Sequence, residues 1–181
     1  MEGLGSFERA NLYVALHIYF RWIAEGGGEP PIEVINFYES LGVQLPTEVP
    51  DDVAEYVRHF RAGSCRTDLN PAARSNLQNH LTAFYNSAGY VSTEPADSLL
   101  AITAFAARLA IDAYTAQMSG AWNVEDLERR LHRFVNTHLL PTLRVVRPPR
   151  EEFCRAIDGL TRLLSEDVRT LASKFTRVAS R

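Results

Sequence analysis

At 181 residues, with 46% hydrophobic and 23% charged side chains, the chain is long enough for one sizeable core and too short for two comfortable domains. Its net charge of −3 is uneven: residues 1–60 hold ten acids against three arginines, residues 61–120 balance, and residues 121–181 hold eight acids against twelve bases. There is no domain-wide basic bias of the kind nucleic-acid binding needs, and the acidic first third favours a basic partner.

Apolar residues recur at helical spacing along almost the whole chain, with no alternating run and no Asn-Gly or Asp-Gly hairpin turn. No basic segment followed by a short apolar stretch opens the chain, so no signal peptide is expected. Ser6, Glu8 and Arg9 begin a first helix whose core face is Leu12, Leu16, Tyr19, Phe20 and Ile23. Gly26-Gly27-Gly28 ends it and Pro30-Pro31 forbids continuation. A second helix is expected from about Pro31 to Leu41, stopped by Gly42, and a third from about Asp51, whose acid suits a helix N-terminus.

Arg61–Asn70 reads as a loop. Asn70-Pro71 then supplies an N-cap and a first-turn proline for a helix running to about Ala88 and ended by Gly89, with Leu77, Leu81, Phe84 and Tyr85 inward. The stretch from Glu94-Pro95 to about Gln117 is apolar on nearly every face, which predicts a buried central helix. Arg108 and Asp112 interrupt it, so no membrane span is expected. Another helix begins at Asn123 or Val124 and runs into Pro141. Pro148-Pro149 breaks the chain, and Arg150 to about Val178 is helical, as one helix or two. The sum is an all-α single domain over 1–181, of about seven or eight helices around the one that begins at Pro95.

The usual catalytic and metal signatures are missing. No GxxxxGK[ST] phosphate loop occurs, and the glycines at 26–28 follow a helix and not a strand. His17, His59, His80, His132 and His138 never pair as HxxxH or HExxH, so no metal is expected. Cys65 and Cys154 are too far apart for a CxxC knuckle and read as buried free thiols. Ser64-Cys65 lacks a GxSxG elbow. Asp51-Asp52 and Glu151-Glu152 open predicted helices, where the dipole explains them without chemistry. Arg129, Arg130 and Arg133 lie beside Glu125, Asp126 and Glu128, as on a solvated face. Neither an enzyme nor a cofactor is expected.

Leu81–Ala110 reads LTAFYNSAGYVSTEPADSLLAITAFAARLA. It resembles the most characteristic stretch of the TorD/DmsD/NarJ family of redox-enzyme maturation chaperones, in which a helix ending in Tyr and Gly leads through a short loop to an acidic-Pro-x-Asp-His signature opening a long apolar helix. Tyr85 and Gly89 match the first part; Glu94, Pro95 and Asp97 match the signature, and Ser98 stands where the family usually has His. Phe134–Leu143, FVNTHLLPTL, is similar to a second family pattern through Phe134, His138, Leu139 and Pro141; Arg9-Ala10-x-Leu12-Tyr13 is a weaker echo.

The resemblance implies an all-helical cytoplasmic chaperone. It would bind the N-terminal leader of a molybdoenzyme catalytic subunit, often a twin-arginine leader, and hold the enzyme until its cofactor is loaded. Peptide-binding candidates are Tyr85, Tyr90, Glu94, Pro95, Asp97, Ser98 and His138. Glu94 and Asp97 would accept from guanidinium, and exposed Tyr85 or Tyr90 would stack on the peptide. The same motif also reads as a helix start, with Pro95 in the first turn, Glu94 and Asp97 at its positive end, and Asp97 capping the amide of residue 94. The alternative function is a helical ligand-binding or regulatory domain without catalytic activity.

Overall fold

A computed structural model describes residues 4–178, with side chains described through residue 175. Helices α1 (Ser6–Ala24), α2 (Ile32–Ser40) and α3 (Asp51–His59) follow the expected bounds closely. The five predicted core residues of α1 are all buried, as are Val34, Ile35 and Tyr38 of α2 and Val53 and Val57 of α3. The glycine stop after α1 is required by its conformation: Gly26, Gly27 and Gly28 have φ of 93°, 81° and 96°, and a Cβ on Gly27 would lie 3.0 Å from that of Val49. The segment read as a loop contains one helical turn, α4 (Ala62–Cys65), before α5 (Pro71–Ser87). Asn70 caps α5 as expected, its Oδ1 accepting from the Ala73 amide at 2.8 Å.

The central helix is α6 (Leu99–Met118), and it starts later than the sequence suggests. Ser98 is its N-cap, with Oγ accepting from the Ala101 amide at 3.1 Å. Pro95 lies in the turn before, where its carbonyl accepts from the Ser98 amide at 2.8 Å. The first-turn role for Pro95 and the dipole role for Glu94 and Asp97 are therefore corrected. The Glu94 amide is bound by Ser92 Oγ at 3.1 Å and not by Asp97.

Helix α6 packs antiparallel to α1. The Phe7 and Tyr114 rings lie 5.6 Å apart at one end, and His17 Nδ1 meets Thr103 Oγ1 at 3.1 Å towards the other. Leu99, Ile102, Phe105 and Leu109 are buried, but the helix is not covered all round: Ile111 is 41% and Met118 70% exposed. By length and composition alone α6 could cross a membrane, with mean hydropathy 1.4; 61% of that stretch is buried within the fold.

Helix α7 (Val124–Phe134) does not stop at Pro141. It passes through a π-helical turn, Val135–Leu139, into α8 (Leu140–Leu143). The reason is local. A proline at 141 has no N–H for the Thr137 carbonyl, and its ring crowds that carbonyl in an α-helix. The π turn re-routes the ladder, and Arg66 Nη1 donates to Thr137 O at 3.3 Å. The chain then forms one long helix, α9 (Glu151–Val178).

A buried ionic cluster ties α1, α7 and α9 together. Arg9 Nε donates to both Asp167 oxygens at 2.9 and 3.1 Å, and the Tyr13 hydroxyl donates to Asp167 at 3.2 Å. Glu128 lies 3.6 Å from Arg9 Nη1 and 3.2 Å from Lys174 Nζ.

Candidate functional site

A groove lies between α1, α6 and the segment Tyr90–Glu94. Its volume is about 510 Å³, and its walls include His17, Arg21, Glu25, Arg58, Tyr90 and Glu94, with Leu100 and Ala104 as an apolar floor. Two of the cations are already used: Arg21 Nε pairs with Glu25 at 2.7 Å, and Arg58 Nε donates to Ala24 O at 2.9 Å. Glu94 is exposed and forms no ion pair among the described residues. Burial lowers the His17 pKa and raises that of Tyr90, so both face the groove uncharged near neutrality.

From this mouth an apolar strip continues along the open faces of the two helices. Val14 and Ile18 of α1 recur one or two turns from Arg21; Ile111 and Met118 of α6 recur at seven-residue spacing from Ala104. Ile18 is 41% exposed and Phe7, at the far end, 54%.

The predicted peptide-binding residues divide sharply. Tyr90 and Glu94 line the groove. Asp97 and Ser98 are buried and serve the fold. Asp97 Oδ1 accepts from Arg61 Nε at 2.7 Å, Oδ2 accepts from the Gly63 amide at 3.2 Å, and the Asp97 carbonyl accepts from the Ala62 amide at 2.8 Å. It thus pins α4 to the start of α6. Gly63 is needed there, since a Cβ would sit 3.0 Å from Asp97 Oδ2. Pro95 is exposed on the turn, away from the groove lining. Tyr85 is buried, which corrects its exposed stacking role; its hydroxyl donates to Ala96 O at 2.8 Å and locks the turn from beneath.

His138 is buried too and belongs to a second cleft, of about 280 Å³, between α5 and the π turn. His80, exposed on α5, faces it with ring centroids 5.3 Å apart. The two histidines are 58 positions apart in sequence, share no local motif and meet only in the fold. A continuous run of ring contacts joins the two openings: Tyr90 touches Phe105, Phe105 touches Phe134, and Phe134 touches His138, at 5.3, 4.8 and 5.4 Å.

The buried ionic roles of Arg9, Asp167 and Arg66 were not legible from the sequence motifs. A clue was present for the first two: Arg9 shares a helical stripe with Tyr13, Leu16 and Phe20, and Asp167 one with Leu160, Leu164 and Leu171. A charge inside an apolar stripe implies a buried partner. Cys65 is half-buried and its thiol is pushed up by burial, the opposite of an activated nucleophile. Among the described residues no cluster of three or more potential metal ligands occurs. The sequence matches no protein-family model and no curated protein.

Proposed function

We propose that the protein is a cytoplasmic chaperone that binds the N-terminal leader of a molybdenum-containing oxidoreductase subunit and holds it until its cofactor is loaded. The observation that carries this reading is the groove and its strip: a mouth with an unpaired carboxylate, Glu94, opening onto an apolar face along α1 and α6. A leader has the same two parts in sequence, a cationic end and an apolar stretch. An apolar helical segment fits such a face, and a guanidinium suits the carboxylate. The resemblance at Leu81–Ala110 supplies the class of client.

Recovery of a molybdoenzyme subunit on co-purification from native cells tests the whole reading, and its absence would sink it. Titration with that subunit's leader tests the mouth. Glu94→Arg should weaken binding about tenfold while leaving the melting temperature unchanged, and binding should weaken as salt rises. Asp97 variants are unsuitable for this purpose because Asp97 holds the fold together.

The alternative, a ligand-binding or regulatory domain, is favoured by one observation, the cleft at His138.

A further inference from the structure

The cleft between α5 and the π turn has the chemistry of a ligand site that the peptide groove does not use. Its walls carry a guanidinium, from Arg66, and two imidazoles, from His80 and His138, together with the Asn76 amide and Thr137; among the described residues no carboxylate lines it. Asp68 pairs with Arg66 through two hydrogen bonds of 2.8 and 2.6 Å, but its carboxylate is half exposed and lies outside the lining, and the Arg66 charge is still felt at the His138 ring. The rest of the surface is apolar, supplied by Leu69, Ala73 and Leu77.

His138 sets the polarity of the floor. The residue is 4% exposed, and Nδ1 is shut off from solvent with no hydrogen-bond partner among the described residues. Burial is the main influence keeping this ring neutral, assisted by the positive fields of His80 and Arg66. A buried N–H without an acceptor costs more than a buried lone pair on the same ring, so the proton belongs on Nε2. Nε2 is not among the closed-off polar atoms and His138 lines the cleft, so a proton carried on Nε2 is available to a ligand there.

We propose that this cleft binds a small carboxylic acid with an apolar body about the size of a benzene ring. The carboxylate accepts from His138 Nε2–H in the field of Arg66, and the ring lies against Leu69, Ala73 and Leu77. A volume of about 280 Å³ accommodates such a molecule and not a folded peptide segment.

Benzoate is the probe, benzyl alcohol its neutral counterpart, and acetate the carboxylate without a ring. Backbone amide NMR of the whole protein should show benzoate shifting residues 66–80 and 134–142 in a saturable way. Benzyl alcohol and acetate should each bind at least about tenfold more weakly. Ala73→Phe, a change at the half-buried rim, should fill the cleft and abolish the shifts, and His138→Phe should keep the ring but lose the preference for benzoate over benzyl alcohol. The proposal fails if benzoate moves no amide in those segments, if Ala73→Phe binds as well as the parent, or if benzyl alcohol binds as tightly as benzoate. None of these results depends on a leader peptide.

Discussion

Single residues in this fold do work that their position in the sequence does not announce. Asp97 has the look of an exposed acid at a helix mouth, yet its carboxylate is consumed by Arg61 and the Gly63 amide, residues brought beside it only by the tertiary fold. Glu94, three positions earlier, is exposed and forms no ion pair among the described residues. Sequence could name both acids and had no means of ranking them, because the ranking depends on α4. His138 makes the same point and carries a prediction. Burial, with the fields of His80 and Arg66, lowers its pKa to about 4. The unfolded ring protonates near the ordinary value of about 6.5, so between these values the unfolded chain holds the extra proton. This contribution to stability is complete above pH 6.5 and declines as pH falls towards 4, by about 3 kcal/mol over the whole window. Urea midpoints collected across that range should show the decline, and His138→Phe should flatten it. An unchanged slope in the variant would place the proton uptake elsewhere.

At the level of elements, the helices themselves were legible. Their stripes, the Asn70-Pro71 cap and the glycine stops are local instructions, and local physics obeyed them. What escaped was the joint between α7 and α8. Pro141 reads as a terminator, and it became instead a defect inside a continuous helix because Arg66, from a distant loop, satisfies the carbonyl that the proline strands. A thermodynamic cycle tests this. Arg66→Met alone should destabilise by about 1–2 kcal/mol, chiefly by leaving Thr137 O without its donor, since the half-exposed Asp68 carboxylate returns to water. Combined with Pro141→Ala, which returns an N–H to the Thr137 carbonyl, the loss should shrink by about 1 kcal/mol. Strict additivity would mean that the guanidinium and the proline are independent.

Across the whole molecule, α6 is held between α1 and α7, and the ends of that sandwich are fastened by charge. Arg9, Asp167, Glu128 and Lys174 come from α1, α7 and α9, so the cluster fixes how α9 closes over the bundle. Ions taken from water recover their desolvation cost only while every member is present. Arg9→Ala should therefore cost about 3–5 kcal/mol by leaving the Asp167 carboxylate buried and unmatched, whereas Arg9→Met with Asp167→Leu should stay within about 1–2 kcal/mol of the parent. Chemical denaturation of the three proteins decides it; an Arg9→Ala variant as stable as the parent would show the cluster to be ornamental. The sequence carried the clue of charges within apolar stripes, but partner choice across a sequence separation of 158 is a property of topology.

Lys174 is the chain's one ε-amine, and it is engaged with Glu128 at the α9 end of that fastening. Amine-directed acylation thus has one side-chain target, and its rate is throttled whenever the ammonium is seated. A mass shift at that one residue becomes a clock for how often the Lys174–Glu128 contact opens, readable in crude mixtures and without a spectroscopic label.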